Sequence, residues 1–172
     1  MKNIVLIGMR GSGKSSVAQV LAKRLHMRPI ELDKEIEKKE GMSIKKMVAS
    51  HGWDYFRARE SGMVSSVASQ RGAVISTGGG AVLRSANVSE LKRGGICIYL
   101  RASVDTLAAR LGEAPHLPRL TQEKNMRAEL TKVWKERKEL YERVADEIVD
   151  TENLSLERVV EEILLLLKKR RI

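Results

Sequence analysis

Two hydrophobic periods alternate along this chain. Short apolar runs bounded by turn residues occur at Lys2–Ile7, Pro29–Leu32, Ala73–Thr77, Ile96–Leu100 and Glu147–Val149. Runs of this length read as strands buried on both faces. Between them, apolar residues return every three or four positions. Val17, Val20, Leu21 and Leu25 mark a helix over Lys14–His26. Met126, Leu130, Val133, Trp134, Leu140, Tyr141 and Val144 form the stripe of a long helix, and Val159, Val160, Ile163, Leu164 and Leu167 that of a closing helix over Ser155–Arg170. Shorter helices are predicted at Lys34–Glu40, at Ile44–His51 behind an N-capping Ser43, at Asp54–Gln70 after a break at Gly52, at Ser89–Arg93, and from Ser103 or Asp105 through Leu111. Gly112–Lys124 carries two prolines, a glycine and no period, so it reads as a long loop of the functional or mobile kind.

Strands alternating with helices imply an α/β fold of three layers: a central parallel five-stranded sheet flanked by helices and joined by right-handed crossovers. One domain over residues 1–172 is expected, since the 42% hydrophobic and 31% charged composition is globular. Ligands in such folds sit at the carboxyl ends of the strands. The glycine clusters after the first and third strands both fall there.

The single cysteine, Cys97, excludes an internal disulfide and suits a reducing compartment, so a cytoplasmic location is expected. The N-terminal apolar run is too short for a secretory signal. The longest such run, Ile163–Leu167, is far short of the ~18 residues that cross a membrane. Lys and Arg total 32 against 22 Asp and Glu, a net charge of +10 that favours anionic partners. Part of it lies in Lys168–Arg171, where cations suit a helix end. Two Trp, three Tyr and one Phe are too few for a base-stacking platform, which argues against nucleic acid. His26, His51 and His116 lack metal-ligand spacing, and Cys97, Trp53 and Trp134 read as packing residues.

Gly8-Met9-Arg10-Gly11-Ser12-Gly13-Lys14-Ser15 matches G-x-x-x-x-G-K-[ST], with an apolar strand before it and an amphipathic helix after it. The glycines let successive backbone N–H groups turn toward phosphate oxygens, and the helix adds its positive end. Gly11, Ser12, Gly13, Lys14, Ser15 and Ser16 are therefore candidate nucleoside triphosphate contacts. Lys14 reaches the β- and γ-phosphates, and the Ser15 hydroxyl joins an Mg²⁺ shell. The base-reading Asn-Lys-x-Asp of a GTPase is absent, since Glu123-Lys124-Asn125 does not supply it. A compact kinase is the favoured reading.

Four further segments bear on the acceptor. Glu31 and Asp33 share a face if the second strand continues that far, and could then hold Mg²⁺ waters and orient a hydroxyl; Asp33 reads equally as a helix N-cap. Arg57, in Phe56-Arg57-Ala58-Arg59-Glu60, could fork onto a carboxylate or lie in a solvated face. Gly78, Gly79 and Gly80 permit close backbone approach by a ligand, or form a plain turn. Arg137, in Arg137-Lys138-Glu139-Leu140-Tyr141, sits on the long helix, whose charged positions also suit an outer face.

Together, in this order and spacing, these motifs resemble the shikimate kinases, of the nucleoside monophosphate kinase fold group. The matching elements are the early P-loop, the acidic pair at Glu31 and Asp33, F-R-x-x-E at 56–60, T-G-G-G at 77–80 and R-x-x-L-Y at 137–141. The resemblance implies ATP and shikimate as partners, Mg²⁺ as cofactor, and transfer of the ATP γ-phosphoryl group to the 3-hydroxyl of shikimate. It implies that Lys14, Asp33 and Arg119 are catalytic and that Asp33 also binds the ring hydroxyls. Arg57 and Arg137 would grip the carboxylate, Gly78 to Gly80 would contact substrate, and Arg110 would lie near the adenine. Ser15 would hold Mg²⁺, with Glu31 reaching it through water, and residues 112–124 would form a lid. A monomer is expected, with no nucleic-acid or membrane partner.

Two positions depart from the family. Glu31 stands where Asp is usual, and Leu117 stands where the lid carries an arginine that touches the transferring phosphates. Arg119, two residues on, is expected to take that part. The alternatives are a kinase for gluconate or a nucleoside monophosphate, and a nucleotide-binding relative without turnover, which Leu117 alone would favour.

Overall fold

The computed structural model describes residues 2–112, 114 and 116–170. Arg171 of the basic tail and positions 113 and 115 of the expected lid lie outside the described residues. The elements run β1 (Asn3–Ile7), α1 (Lys14–Leu25), β2 (Arg28–Glu31), α2 (Leu32–Glu40), α3 (Ile44–Ala68), β3 (Ala73–Ser76), a 3₁₀ turn (Ala81–Leu83), α4 (Ser85–Gly94), β4 (Gly95–Arg101), α5 (Val104–Leu111), α6 (Met126–Val144), β5 (Glu147–Asp150) and α7 (Leu156–Lys169).

All five strands are parallel, in the order β2-β3-β1-β4-β5. Side chains on successive residues of β1 point to opposite faces, and each face has its own core. Val5 and Ile7 pack with residues of α2, α3, α4 and α6, whereas Ile4 and Leu6 pack with Val17 and Leu21 of α1 and Val160 and Ile163 of α7. These are the three layers expected from the alternation of elements. Burial on both sides is why β1, β3 and β4 carry near-continuous apolar runs.

The sheet order sets β1 beside β3, so the glycine turns that follow them become neighbours. Thr77 fixes that juxtaposition: its N–H and its hydroxyl both donate to the Leu6 carbonyl, at 3.2 and 3.0 Å. Boundaries differ from the sequence reading in ways that matter for the site. β2 stops at Glu31 and α2 begins at Leu32, so Asp33 lies in a first helical turn and not at a strand end or N-cap. Within α3 the helical path is interrupted at Gly52, whose φ of 81° and ψ of 172° are non-helical, where the sequence predicts a break. α4 starts at Ser85, and the 3₁₀ turn before it was not expected. Among the described residues no helix is long and apolar enough to cross a membrane.

Candidate active site

The P-loop takes a shape that only its glycines allow. Gly8, Gly11 and Gly13 have φ of 141°, 80° and 88°. A Cβ on Gly8 would stand 2.7 Å from the Leu100 carbonyl oxygen, and one on Gly11 would stand 2.9 Å from Leu111 Cγ. With Gly13 at the N-cap, α1 opens without a side-chain cap and without an acidic residue in its first turn. Its first N–H groups are therefore available to an anion. Buried Lys14 donates from Nζ to the carbonyls of Gly8 and Met9, at 3.0 and 2.7 Å, and to Ser12 Oγ at 3.3 Å. Burial brings its ammonium down to about 8; Asp33 opposes that shift and Arg10 adds to it.

Two cavities meet at this loop. One, of about 470 Å³, is walled by Gly11, Gly13, Lys14, Ser15, Ser16 and Arg110 among others. The other, of about 390 Å³, is walled by Trp53, Arg57, Glu60, Gly80 and Arg137 among others. Ser15, Glu31, Asp33, Gly78 and Gly79 line both. Glu31 and Asp33 thus share a junction through a strand-to-helix turn, not through strand alternation.

Burial raises the Asp33 carboxyl above its usual range, against the pull of Lys14 and Arg57. Glu31 behaves in the opposite way. Partial burial works against its charge, but hydrogen bonds from Lys34 at 2.8 Å and Gln19 at 3.1 Å outweigh that and keep the carboxyl low. It is the more firmly ionised of the two.

The second cavity is built around α3. Arg57 Nη1 lies 2.7 Å from Glu60 Oε2, and its guanidinium carbon sits 5.2 Å from the Trp53 ring centroid and 5.1 Å from that of Phe56. The glycine turn presses directly on these groups. A Cβ on Gly80 would fall 2.2 Å from Arg57 Nη2, and one on Gly78 would fall 2.7 Å from Asp33 Oδ1. From α6, Tyr141 donates its hydroxyl to the Gly79 carbonyl, and the buried ring stacks on Tyr99 with centroids 5.1 Å apart. Burial pushes that hydroxyl up to about 12, so it remains a donor. Arg137, one turn earlier on α6, is also buried.

Only two buried side-chain atoms among the described residues lack a hydrogen-bond partner: Glu60 Oε1 and Arg137 Nε. Both belong to walls of this cavity. Orphaned polar atoms cost about 1–3 kcal/mol each when left dry. Their concentration here marks a surface suited to a polar ligand.

Most of the expected residues line the two cavities. Ser12, buried, instead supports Lys14 from behind. Arg110 is held at the rim of the first cavity by Thr151, through its hydroxyl at 3.2 Å and its carbonyl at 2.9 Å. Arg119 stands apart from the others. Its guanidinium pairs with Glu129 at 2.8 Å and with the Glu123 carbonyl, and it lines neither cavity. Glu129 is fully buried on α6 and also accepts from the backbone N–H of Leu120 and Thr121, so it draws nearby cations to itself.

Sequence reasoning also passed over Arg10 and Glu129, whose contact spans 119 residues. Glu60 stood in a quoted motif without a role. Trp53, read as packing, both packs and lines the cavity.

A shikimate kinase profile matches residues 10–168. A shikimate kinase of Syntrophus aciditrophicus is 42% identical over 95% of this chain and 89% of its own length. The chain belongs to the shikimate kinase family. Its members are ATP-dependent small-molecule kinases of aromatic amino-acid biosynthesis, and this chain is one. A solved shikimate kinase from Acinetobacter baumannii, in complex with shikimate, superposes with a TM-score of 0.95 at 31% identity, over 100% of this chain and 96% of that one. The Aquifex aeolicus shikimate kinase follows at 0.85 and 30%, over 99% and 98%.

Proposed function

We propose that the kinase joins its two substrates across the shared wall of the cavities, with ATP phosphates on the P-loop and shikimate against Arg57 and Arg137. The observation that carries this reading is the pair of unpartnered buried atoms, Glu60 Oε1 and Arg137 Nε. They make the second cavity a receptor for an acid that also bears hydroxyls. Arg57 and Arg137 take the carboxylate, and the Gly78–Gly80 backbone contacts the ring. Asp33 aligns the 3-hydroxyl, and Arg110 flanks the adenine.

The γ-phosphorus loses its bond to the β–γ bridging oxygen as it gains one to the 3-oxygen. ADP leaves with the bridging oxygen, and the hydroxyl proton passes to Asp33, whose raised carboxyl suits a proton acceptor. Lys14 moves from the P-loop carbonyls to the phosphates. The donor set suits Mg²⁺, which favours a few oxygen ligands beside substrate phosphates and water. Ser15 Oγ would hold it directly and Glu31 through water, and the ion would neutralise phosphate charge. Residues 112–124 act as a lid that excludes water. We also infer a monomer in the cytoplasm, consistent with a single buried thiol.

The test is ADP release followed with and without shikimate. Release that requires shikimate is expected. Release indifferent to shikimate, or ATP binding with no turnover, would contradict the assignment.

A further inference from the structure

Transfer occurs where the two cavities meet, and the moving phosphoryl group needs positive charge there. Among the described residues, Arg10 is the one lysine or arginine that lines both cavities. Lys14 and Arg110 wall only the phosphate side; Arg57 and Arg137 wall only the acid side. The lid contributes apolar Leu117 to both walls, and Arg119 lines neither.

Arg10 reaches the lid from beneath. Its Nη1 donates to the Pro118 carbonyl at 3.0 Å and lies 3.4 Å from Glu129 Oε1. The guanidinium therefore stands beside position 117 while its backbone belongs to the P-loop. Its hydrogen bonds to described residues all use Nη1, which leaves the rest of the planar fork for phosphate oxygens. Burial pulls this group below its ordinary value, with Glu129 opposing and Arg137 adding, as befits a cation held in a dry wall.

We propose that Arg10 is a catalytic residue that supplies, from within the P-loop, the guanidinium for the transferring phosphoryl group. This rests on the shikimate kinase reading above. It also gives the leucine at 117 a rationale, because a second cation there would be redundant.

The test uses the shikimate-dependent ADP-release assay on the full chain. Arg10→Met is expected to lower kcat by roughly 100-fold or more, since arginines in this role can be worth a thousandfold. The two KM values should move by less than about fivefold. Adding Leu117→Arg to Arg10→Met is expected to restore at least a tenth of the lost rate, because a lid guanidinium can reach the same oxygens. Arg10→Lys, which keeps the charge without the fork, should fall between wild type and Met, and it serves if the Met variant does not fold. A kcat within about threefold of wild type in the neutral variant, or a loss that Leu117→Arg does not repair, would overturn the proposal. Wild-type protein with no shikimate-dependent turnover would contradict the functional reading instead.

Discussion

Lys14 is buried among neutral oxygens that a triphosphate would replace. Its ammonium lies at about 8 against the usual 10.5, and burial is the main cause. Phosphate charge favours the protonated form, so ATP binding raises the value and takes up protons. The sign follows: ATP affinity should fall as pH rises through about 8, with net proton uptake on binding once the pH reaches about 8. Titration calorimetry in two buffers of different ionisation enthalpy measures that uptake, and a buffer-independent heat would contradict it. Asp33 makes the second case at this scale. Asp33→Asn keeps the shape and removes the proton acceptor, so kcat should drop by about 100-fold or more. An unchanged kcat would remove Asp33 from the chemistry. Lys14 was legible in the sequence because the glycines around it have fixed spacing. Arg10 was not, since its meaning depends on Pro118 and Glu129, far along the chain.

At the scale of elements, the glycine turn after β3 lies directly against Asp33 of α2 and Arg57 of α3. Gly80 has ordinary backbone angles, φ −100° and ψ 0°, so its lack of a side chain is explained by Arg57 alone. The clash in Gly80→Ala falls on the far end of a flexible side chain, which can swing away at little cost to the fold. The expected result is a melting temperature close to wild type with KM for shikimate raised roughly tenfold, the worth of one charged hydrogen bond, and KM for ATP nearly unchanged. Equal increases in both would show that the turn does not act through Arg57.

Strands β1, β3 and β4 could be read from their apolar runs because both faces are covered. The 3₁₀ turn at Ala81–Leu83 could not, being three residues with no period to detect. α4 opens on Ser85-Ala86-Asn87, which lack an apolar stripe; Asn87 is buried because its side chain donates to the Ala81 carbonyl at 3.1 Å. The junction of β2 and α2 was misread for a related reason: Leu32 continues the apolar pattern of the strand while already belonging to the helix.

For the whole molecule, the two-sided sheet leaves little apolar surface to recruit a partner. Leu83, Ile148 and Leu165 are the large apolar side chains exposed among the described residues, and they lie on three different elements. Self-repulsion from a net charge of +10 acts in the same direction. The chain should sediment as a single species near 19.3 kDa, and a concentration-dependent dimer would contradict that. The same charge favours two anionic substrates entering adjoining cavities from solvent. The central claim is that the donor's terminal phosphoryl group crosses from one cavity to a hydroxyl held in the other. Phosphorus NMR of a mixture of protein, Mg²⁺, ATP and shikimate tests it most directly. The expected spectrum gains one phosphomonoester resonance on the shikimate ring for each ADP formed, whereas inorganic phosphate as the sole new product would contradict the account.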